Sequence, residues 1–520
     1  RFIRSSISVA IAASLPGSHA LAQSLVHMPT SVPSDIDALT GDGDEITLAQ
    51  AAVQELSDSL KGQLILPGGE AYDEARWLLN ARYDKYPALV VQPTGAADVQ
   101  NAVTFARENN LLLAVKCGGH SAAGKSSCDK GLQIDLSQLR NARVDRVAKT
   151  ARVAGGSLLG ELDHEAMSHG LVTTAGSVSH TGVGGLTLGG GFGRLARRYG
   201  LTIDNVLEMD IVTPDGKFRR VGPDNDADLY WALRGGGGNF GVVTSFLFQL
   251  HEMQRDVVTG YIAFPLSEAK QILSFYAEYS RNMPDEMNIG AGVGGRLGVD
   301  PGVAMFFVWS GDPAKAEKYI EPLRKAGTVV SERVQTMDYV AVQRSGDIDD
   351  TRAFTGYMKS GFVRSISGDF IDALIDNFEA HPDRATRFGF GHTGGAIGRV
   401  SNSETAFAHR DSNYNLLSFV SWKTGEDGEE HVDYINSHWA SAEQFTDGFY
   451  VNDHFDQSQE MVNDTYRENF PRLLKIKQHY DPTNPVSYTH LTLPTSAVAW
   501  GGGGWGGGWR GGGGGGGGGG

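Results

Sequence analysis

Residues 182 to 193 read Gly182-Val183-Gly184-Gly185-Leu186-Thr187-Leu188-Gly189-Gly190-Gly191-Phe192-Gly193. A solvated linker would be rich in Ser, Pro or charge. Here the glycines alternate with Val, Leu and Phe, so the stretch is packed backbone. Amides laid bare by glycine can form nests for a pyrophosphate. A chain carrying this stretch folds around something that approaches its main chain closely.

A second glycine site precedes it, Lys116-Cys117-Gly118-Gly119-His120-Ser121-Ala122-Ala123-Gly124. The apolar run Leu111 to Val115 reads as a buried strand. A strand that stops in glycines and then offers an imidazole presents one reactive nitrogen to a ligand. The same residues raise a rival reading, because Gly119 to Ser126 fits the phosphate-loop pattern G-x-x-x-x-G-K-[ST] of nucleotide hydrolases. That loop works by opening a helix whose first amides hold phosphate. After Ser126 come the turn residues 127 to 131 and a new strand from Leu132, which leave no room for the helix. Gly236 to Gly241 fits the dinucleotide pattern G-x-G-x-x-G. It follows the helix-like Ala227 to Leu233 and precedes the β-rich Val242 to Phe248, the reverse of a Rossmann turn.

The 520 residues are enough for two or more domains, and the net charge of -16 argues against a nucleic-acid partner. No apolar run is long enough to span a membrane. Cys117 and Cys128 are too few for a disulfide framework or a zinc site, and no metal site is expected. They flank the His120 loop and could pair in an exported protein. Arg1 to Arg4 is basic, Ile7 to Leu15 is apolar, and Ala20-Leu21-Ala22 is a cleavage pattern. Residues 1–22 are therefore expected to be an export signal, truncated at its start, of a secreted or periplasmic protein. Ordinary and twin-arginine export fit equally. Residues 501–520 hold only Gly, Trp and Arg, which a run of G with rare base changes encodes. Residues 486–520 are accordingly read as non-native.

Along the rest of the chain, residues 23–56 are polar and read as an N-terminal extension. Tyr86 to Pro93 is a strand, Ala96 to Asn109 a helix, and with the Leu111 strand they make an α/β unit. Ala151 to Gly156 is a strand. Ser157 is placed to cap a helix that Gly170 ends. Arg194 to Gly200 is a short basic helix whose arginines are expected on a solvated face.

Taken in order, five pieces carry a resemblance. They are Gly118-Gly119-His120-Ser121, His180 to Gly185, Gly189 to Gly193, Gly200-Leu201-Thr202-Ile203-Asp204-Asn205, and Arg234 to Val243. They are similar to the FAD-binding domain of the FAD-linked oxidases of the berberine bridge enzyme type, in the vanillyl-alcohol oxidase superfamily. Gly394 to Ile397 with Thr405 to Arg410 resembles the substrate domain of the bacterial members. Tyr450-Val451-Asn452 and Tyr466 to Asn484 resemble their C-terminal segment.

The resemblance covers roughly residues 57 to 485 and implies an α+β fold. A two-subdomain PCMH-type FAD-binding domain would span 57–255. A substrate-binding domain with an antiparallel sheet covered by helices would span 256–437. A C-terminal segment, 438–485, would return to the FAD domain. The resemblance further implies FAD attached through its 8α-methyl to His120. The cysteine that makes a second attachment in many members falls on Val178, so one linkage is expected. The position tied to oxygen access falls on Thr181, which leaves oxidase and dehydrogenase both open. The expected cofactor contacts are Lys116, Gly118, Gly119, His120, Ser121, Gly124, Thr181, Gly184, Gly185, Gly189, Gly190, Gly193, Gly241, Val243 and Asn452. Tyr450 is the candidate base, Asn452 its neighbour on the flavin, and Lys359 a further residue for the substrate cavity. The substrate would be a sugar, an alcohol or an aromatic natural product, with O2 or another acceptor taking the electrons.

Overall fold

The structure, a computed structural model, describes residues 29–296, 299–348, 354–378, 385–453 and 458–482. The expected export signal and the expected non-native tail lie outside the described residues. Three sheets organise the chain. The first runs Gln63–Ile65, Leu89–Gln92, Leu132–Asp135, Leu113–Lys116 across its width, parallel except for the first pair. Its inner strands are buried on both faces, which is why they read as unbroken apolar runs. Helix Ala96–Glu108 buries Val99, Ala102, Val103 and Ala106 against it.

Val32, Ala38, Leu48, Val53 and Leu56 share that core. They come from the hairpin Ile36–Leu39 with Glu45–Leu48, the helix Gln50–Ser59 and the residues just before them. From residue 32 onward the expected extension is therefore part of the first sheet's core. Its polar composition reflects elements that bury one side only.

The second sheet is antiparallel, in the order Phe218–Val221, Val206–Val212, Val242–Gln249, Thr150–Ala154, Ala142–Asp145. Val153, Leu162, Met209, Trp231, Phe246 and Phe248 fill its core. Phe449, Val451, Val462, Tyr466, Leu473 and Ile476 enter the same core. At ~1.5–3 kcal/mol for each large apolar side chain fully buried, this anchors the C-terminal segment beside the second sheet. Helix Leu159–Ser168 does end at Gly170, whose φ is +69°. Ser157 is not its cap. Its hydroxyl pairs with the Asn141 backbone, and the Glu161 carboxylate accepts from Leu158 N at the helix start.

The third sheet has seven antiparallel strands, Ser331–Asp338, Asp256–Pro265, Val299–Trp309, Met287–Arg296, Ala385–His392, Tyr414–Lys423 and Phe354–Val363. Helices Ala269–Tyr279, Gly368–Asp376 and Glu429–Ala442 cover one face, burying Leu273, Phe370 and Trp439 against Ile289, Phe390 and Leu416. The fold is thus α+β, as expected. The boundary expected at 437 falls inside the helix Glu429–Ala442, where Trp439 and Ala442 still pack on this sheet.

The arginines after the glycine stretch do not form one solvated face; Arg194 and Arg198 are half-buried. Arg197 is buried, and its guanidinium donates to the carbonyls of Met283, Met287 and Thr393. Arg198 donates to Ser310 O, and Arg194 to Ser177 O and Gln343 Oε1. Buried charge needs such partners. These side chains join the second sheet's region to the third sheet, a role no local pattern encodes.

Candidate functional site

A cavity of about 650 Å³ lies where the three regions meet. Residues from the His120 loop, the 176–192 segment, Gly241 to Val243, the third sheet and Tyr450 to Asp453 all line it. Two glycines make this meeting possible. A Cβ on Gly118 would collide with Gly182 N, and one on Gly182 with Gly118 N and Cys117 Sγ. The two loops touch main chain to main chain, a contact only glycine permits.

That contact sets His120 beside His180 and Thr181. His120 Nε2 is 2.6 Å from His180 Nδ1, and His180 Nε2 accepts from Ile348 N at 3.1 Å. A neutral imidazole has one donor and one acceptor. The Ile348 amide therefore makes His180 the donor, through Nδ1, to His120 Nε2. His120 Nδ1 is left 3.2 Å from Thr181 Oγ1. Burial, and then His180, push the His120 pKa down to about 3. The ring is neutral at any physiological pH. The neighbouring Ser179 is pinned through its N–H and hydroxyl to Asp347, at 2.7 and 2.6 Å.

At the C-terminal side Tyr450 is buried, and its hydroxyl oxygen accepts from Gly191 N and Asn452 Nδ2, both at 2.9 Å. Asn452 Nδ2 also reaches Leu186 O at 3.1 Å. Gly189 is the space Asn452 occupies, since a Cβ there would collide with its amide. Burial, and then the Asp453 carboxylate, raise the Tyr450 pKa far above its ordinary value. Asp453, which also lines the cavity, is raised by burial to about 7.

Of the residues expected at the site, Gly118, Gly119, His120, Ser121, Thr181, Gly184, Gly185, Gly241, Val243, Tyr450 and Asn452 line the cavity. The others act behind it. Lys116 Nζ donates to Ala75 O at 2.6 Å and sits 3.8 Å from Asp135, so its charge is held inside the first region. Gly124 gives room to the Tyr83 ring, and Gly193 to Ala175 O. Gly189 and Gly190 abut Asn452 and Tyr450. The later half of the glycine stretch therefore seats the Tyr450 pair. Val178 lines the cavity where a second attachment would need a thiol. Cys117 and Cys128 are both free, and burial raises their thiols to about 11 and 12.

The rival phosphate loop has no helix. Residues 122–130 are turns and bends, followed by the strand Leu132–Asp135. Lys359 does not face the cavity. It pairs with Ser418, while Met358 pairs with Phe419 and Ser360 with Leu417. Side chains alternate across a strand, and Met358 and Leu417 are the ones lining the cavity.

Three residues escaped the sequence reading. His180 adjoins Thr181, and Asp453 follows Tyr450-Val451-Asn452 directly, so proximity to a motif was their signal. Arg387 lines the cavity from the third sheet. Its signal was the alternation Arg387-Phe388-Gly389-Phe390-Gly391, which puts it on a glycine face.

Comparison with known proteins agrees with this geometry. Residues 87–222 match the FAD binding domain model, and 449–486 the berberine and berberine-like model. An FAD-linked oxidoreductase of Dictyostelium discoideum is 31% identical over 84% of this chain and 95% of its own length. A xylooligosaccharide oxidase of Thermothelomyces thermophilus is 27% identical over 80% of this chain and 89% of its own. The crystal structure of 6-hydroxy-D-nicotine oxidase from Arthrobacter nicotinovorans superposes with a TM-score of 0.77 at 28% identity, covering 83% of this chain and 98% of that one. The chain thus belongs to the FAD-linked oxidoreductases of the berberine bridge enzyme-like family and is an FAD-dependent enzyme.

Proposed function

We propose that this enzyme binds FAD across the cavity with His120 as its only covalent anchor, and oxidises a CH–OH or CH–NH group of a small molecule. The residues present suit the cofactor. Gly185 opens on free space at the cavity wall, where no heavy atom stands within 4 Å of an added Cβ. The observation that carries the covalent reading is the neutral His120 imidazole. Its Nε2 is engaged by His180, which leaves Nδ1 for the bond to the 8α-methyl group. Val178 offers nothing for a second bond.

FAD held here would supply hydride acceptance from a C–H bond, with O2 or another acceptor taking the electrons. The chain's residues orient the substrate and manage its proton. Tyr450 is a phenol at neutral pH, because burial holds its proton on. It orients a substrate hydroxyl through its own O–H and does not itself take up the proton. Asp453 is half ionised near neutrality and is the stronger candidate for proton acceptance. The xylooligosaccharide oxidase and the hydroxynicotine oxidase among the relatives support a small-molecule donor of either type.

The test is direct. Purified protein is expected to be yellow, to keep its flavin through acid precipitation, and to show the flavin on the His120 peptide alone in mass mapping. His120→Ala is expected to release the flavin to the supernatant. Flavin on a cysteine, or none on His120, defeats the single-anchor reading. Turnover with a dye but no peroxide in air assigns a dehydrogenase instead of an oxidase.

A further inference from the structure

Among the described residues, Arg387 is the one cation of the third sheet that lines the cavity. Its strand, Ala385–His392, pairs it with Gly294 on one side and Phe419 on the other. Alternation puts Phe388 and Phe390 into the core beneath the helices, and Arg387 on the cavity face with Leu417 and Asn415. Its guanidinium lies over the Phe419 ring, 4.7 Å from the centroid. Stacking of this kind fixes the plane of the fork and leaves its N–H edges free.

Those edges are unclaimed. Among the described residues no carboxylate pairs with Arg387 and no carbonyl accepts from it, in contrast to Arg194, Arg197 and Arg198. Arg387 is exposed to the cavity, yet enough protein surrounds it to lower its pKa by desolvation. An arginine has five donors. With no protein partner, they are open to a bound acceptor that enters the cavity. A carboxylate matches the fork with two parallel hydrogen bonds. A second orphan stands on the same face. Asn415 Oδ1 is buried without a hydrogen-bond partner, and it can accept from a hydroxyl of the same ligand. The Tyr450 wall carries the acidic Asp453, which disfavours a carboxylate there and sends it to Arg387.

We propose that the substrate bears a carboxylate, as in a sugar acid or a hydroxy acid, and that Arg387 receives it while the carbon to be oxidised lies at the Tyr450 wall. This rests on the oxidase reading above and narrows its donor to an anionic one.

The experiment uses the full-length, flavin-loaded protein. Glucuronate and benzoate are titrated against glucose and benzyl alcohol as neutral counterparts, with glucose 6-phosphate as a further anion. Binding is read from the flavin's visible spectrum, which needs no turnover. The carboxylates are expected to bind at least about tenfold more tightly than their counterparts, and more weakly as salt is added. Arg387→Met is expected to remove that advantage and Arg387→Lys to keep part of it, since lysine supplies charge without the fork. Equal binding of neutral and anionic probes overturns the proposal. So do unchanged carboxylate binding in Arg387→Met, a preference for glucose 6-phosphate over glucuronate, and a yellow protein indifferent to both carboxylates. If Arg387→Met does not fold, the wild-type comparison and Arg387→Lys still decide. A wild-type protein without flavin defeats the oxidase reading itself, a result distinct from all of these.

Discussion

The two walls of the cavity use glycine differently. On the FAD-binding side, Gly118 and Gly182 bring two loops into contact with no side chain between them. On the sheet side, Gly389 and Gly391 share a face with Arg387, Leu417 and Asn415, and those three longer side chains line the cavity. The first arrangement tolerates nothing, because backbone cannot move aside cheaply. The second tolerates change, because its side chains face a cavity. On the proposed function, the first wall holds the cofactor and the second faces the donor.

The sharpest way to break this contrast is Gly182→Ala. Its Cβ would meet Gly118 N and Cys117 Sγ, so the loops must separate and carry His120 off its partners. The expected outcome is protein with little or no flavin, measured as the ratio of visible to ultraviolet absorbance. Normal flavin content would show that the loop contact is dispensable.

Next in size is Tyr450→Phe. It removes the oxygen that accepts from Gly191 N and Asn452 Nδ2, but leaves the ring on Phe192 in its edge contact, with centroids 5.0 Å apart. Flavin content should hold while kcat falls by roughly 10²-fold, the scale of a lost positioning contact. An unchanged kcat would remove Tyr450 from the chemistry.

Asp453 gives a pH signature. Burial raises its carboxyl to about 7, and a proton acceptor must be ionised. The rate should therefore rise with pH through about 7 and level off above it. Asp453→Asn should remove that limb and lower the plateau, by roughly tenfold or more. The same limb persisting in Asp453→Asn would assign it to another group. The stability sign is opposite. A carboxyl raised above its unfolded value favours folding while protonated. The stability it contributes is lost as pH rises from about 4, the unfolded range, to 7.

Much of the FAD-binding wall was legible in the sequence because its signals are local. Strand, glycine pair and histidine are contiguous, and the absent helix after Ser126 could be read from the next few residues. The sheet wall was less legible. Local sequence cannot say whether Lys359 or its neighbour faces the cavity; the register with Ser418 and Phe419 decides it. Arg197 looked like a solvated helix residue because its partners, Met287 and Thr393, lie 90 and 196 residues away. Asp453 was passed over because its pKa depends on what encloses it. The polar hairpin before residue 56 gave no periodic run long enough to reveal that it packs on the first sheet.

The smallest effect tests the tolerant wall. Leu417 lines the cavity and is half-buried, so Leu417→Ala removes methyl groups from a surface that faces the donor. It comes from a different element of the lining than the loops that hold His120. Flavin content and its acid-stable attachment should therefore match the wild type. Loss of a few carbons of apolar contact is worth ~1–3 kcal/mol in a closed pocket, and less where the residue is half open. KM for the best donor should rise by a few-fold to about tenfold while kcat stays close to its original value, the pattern of lost uniform binding. If kcat fell instead and KM held, Leu417 would be placing the reacting carbon. The division between an exacting cofactor wall and a forgiving donor wall would then fail at this position.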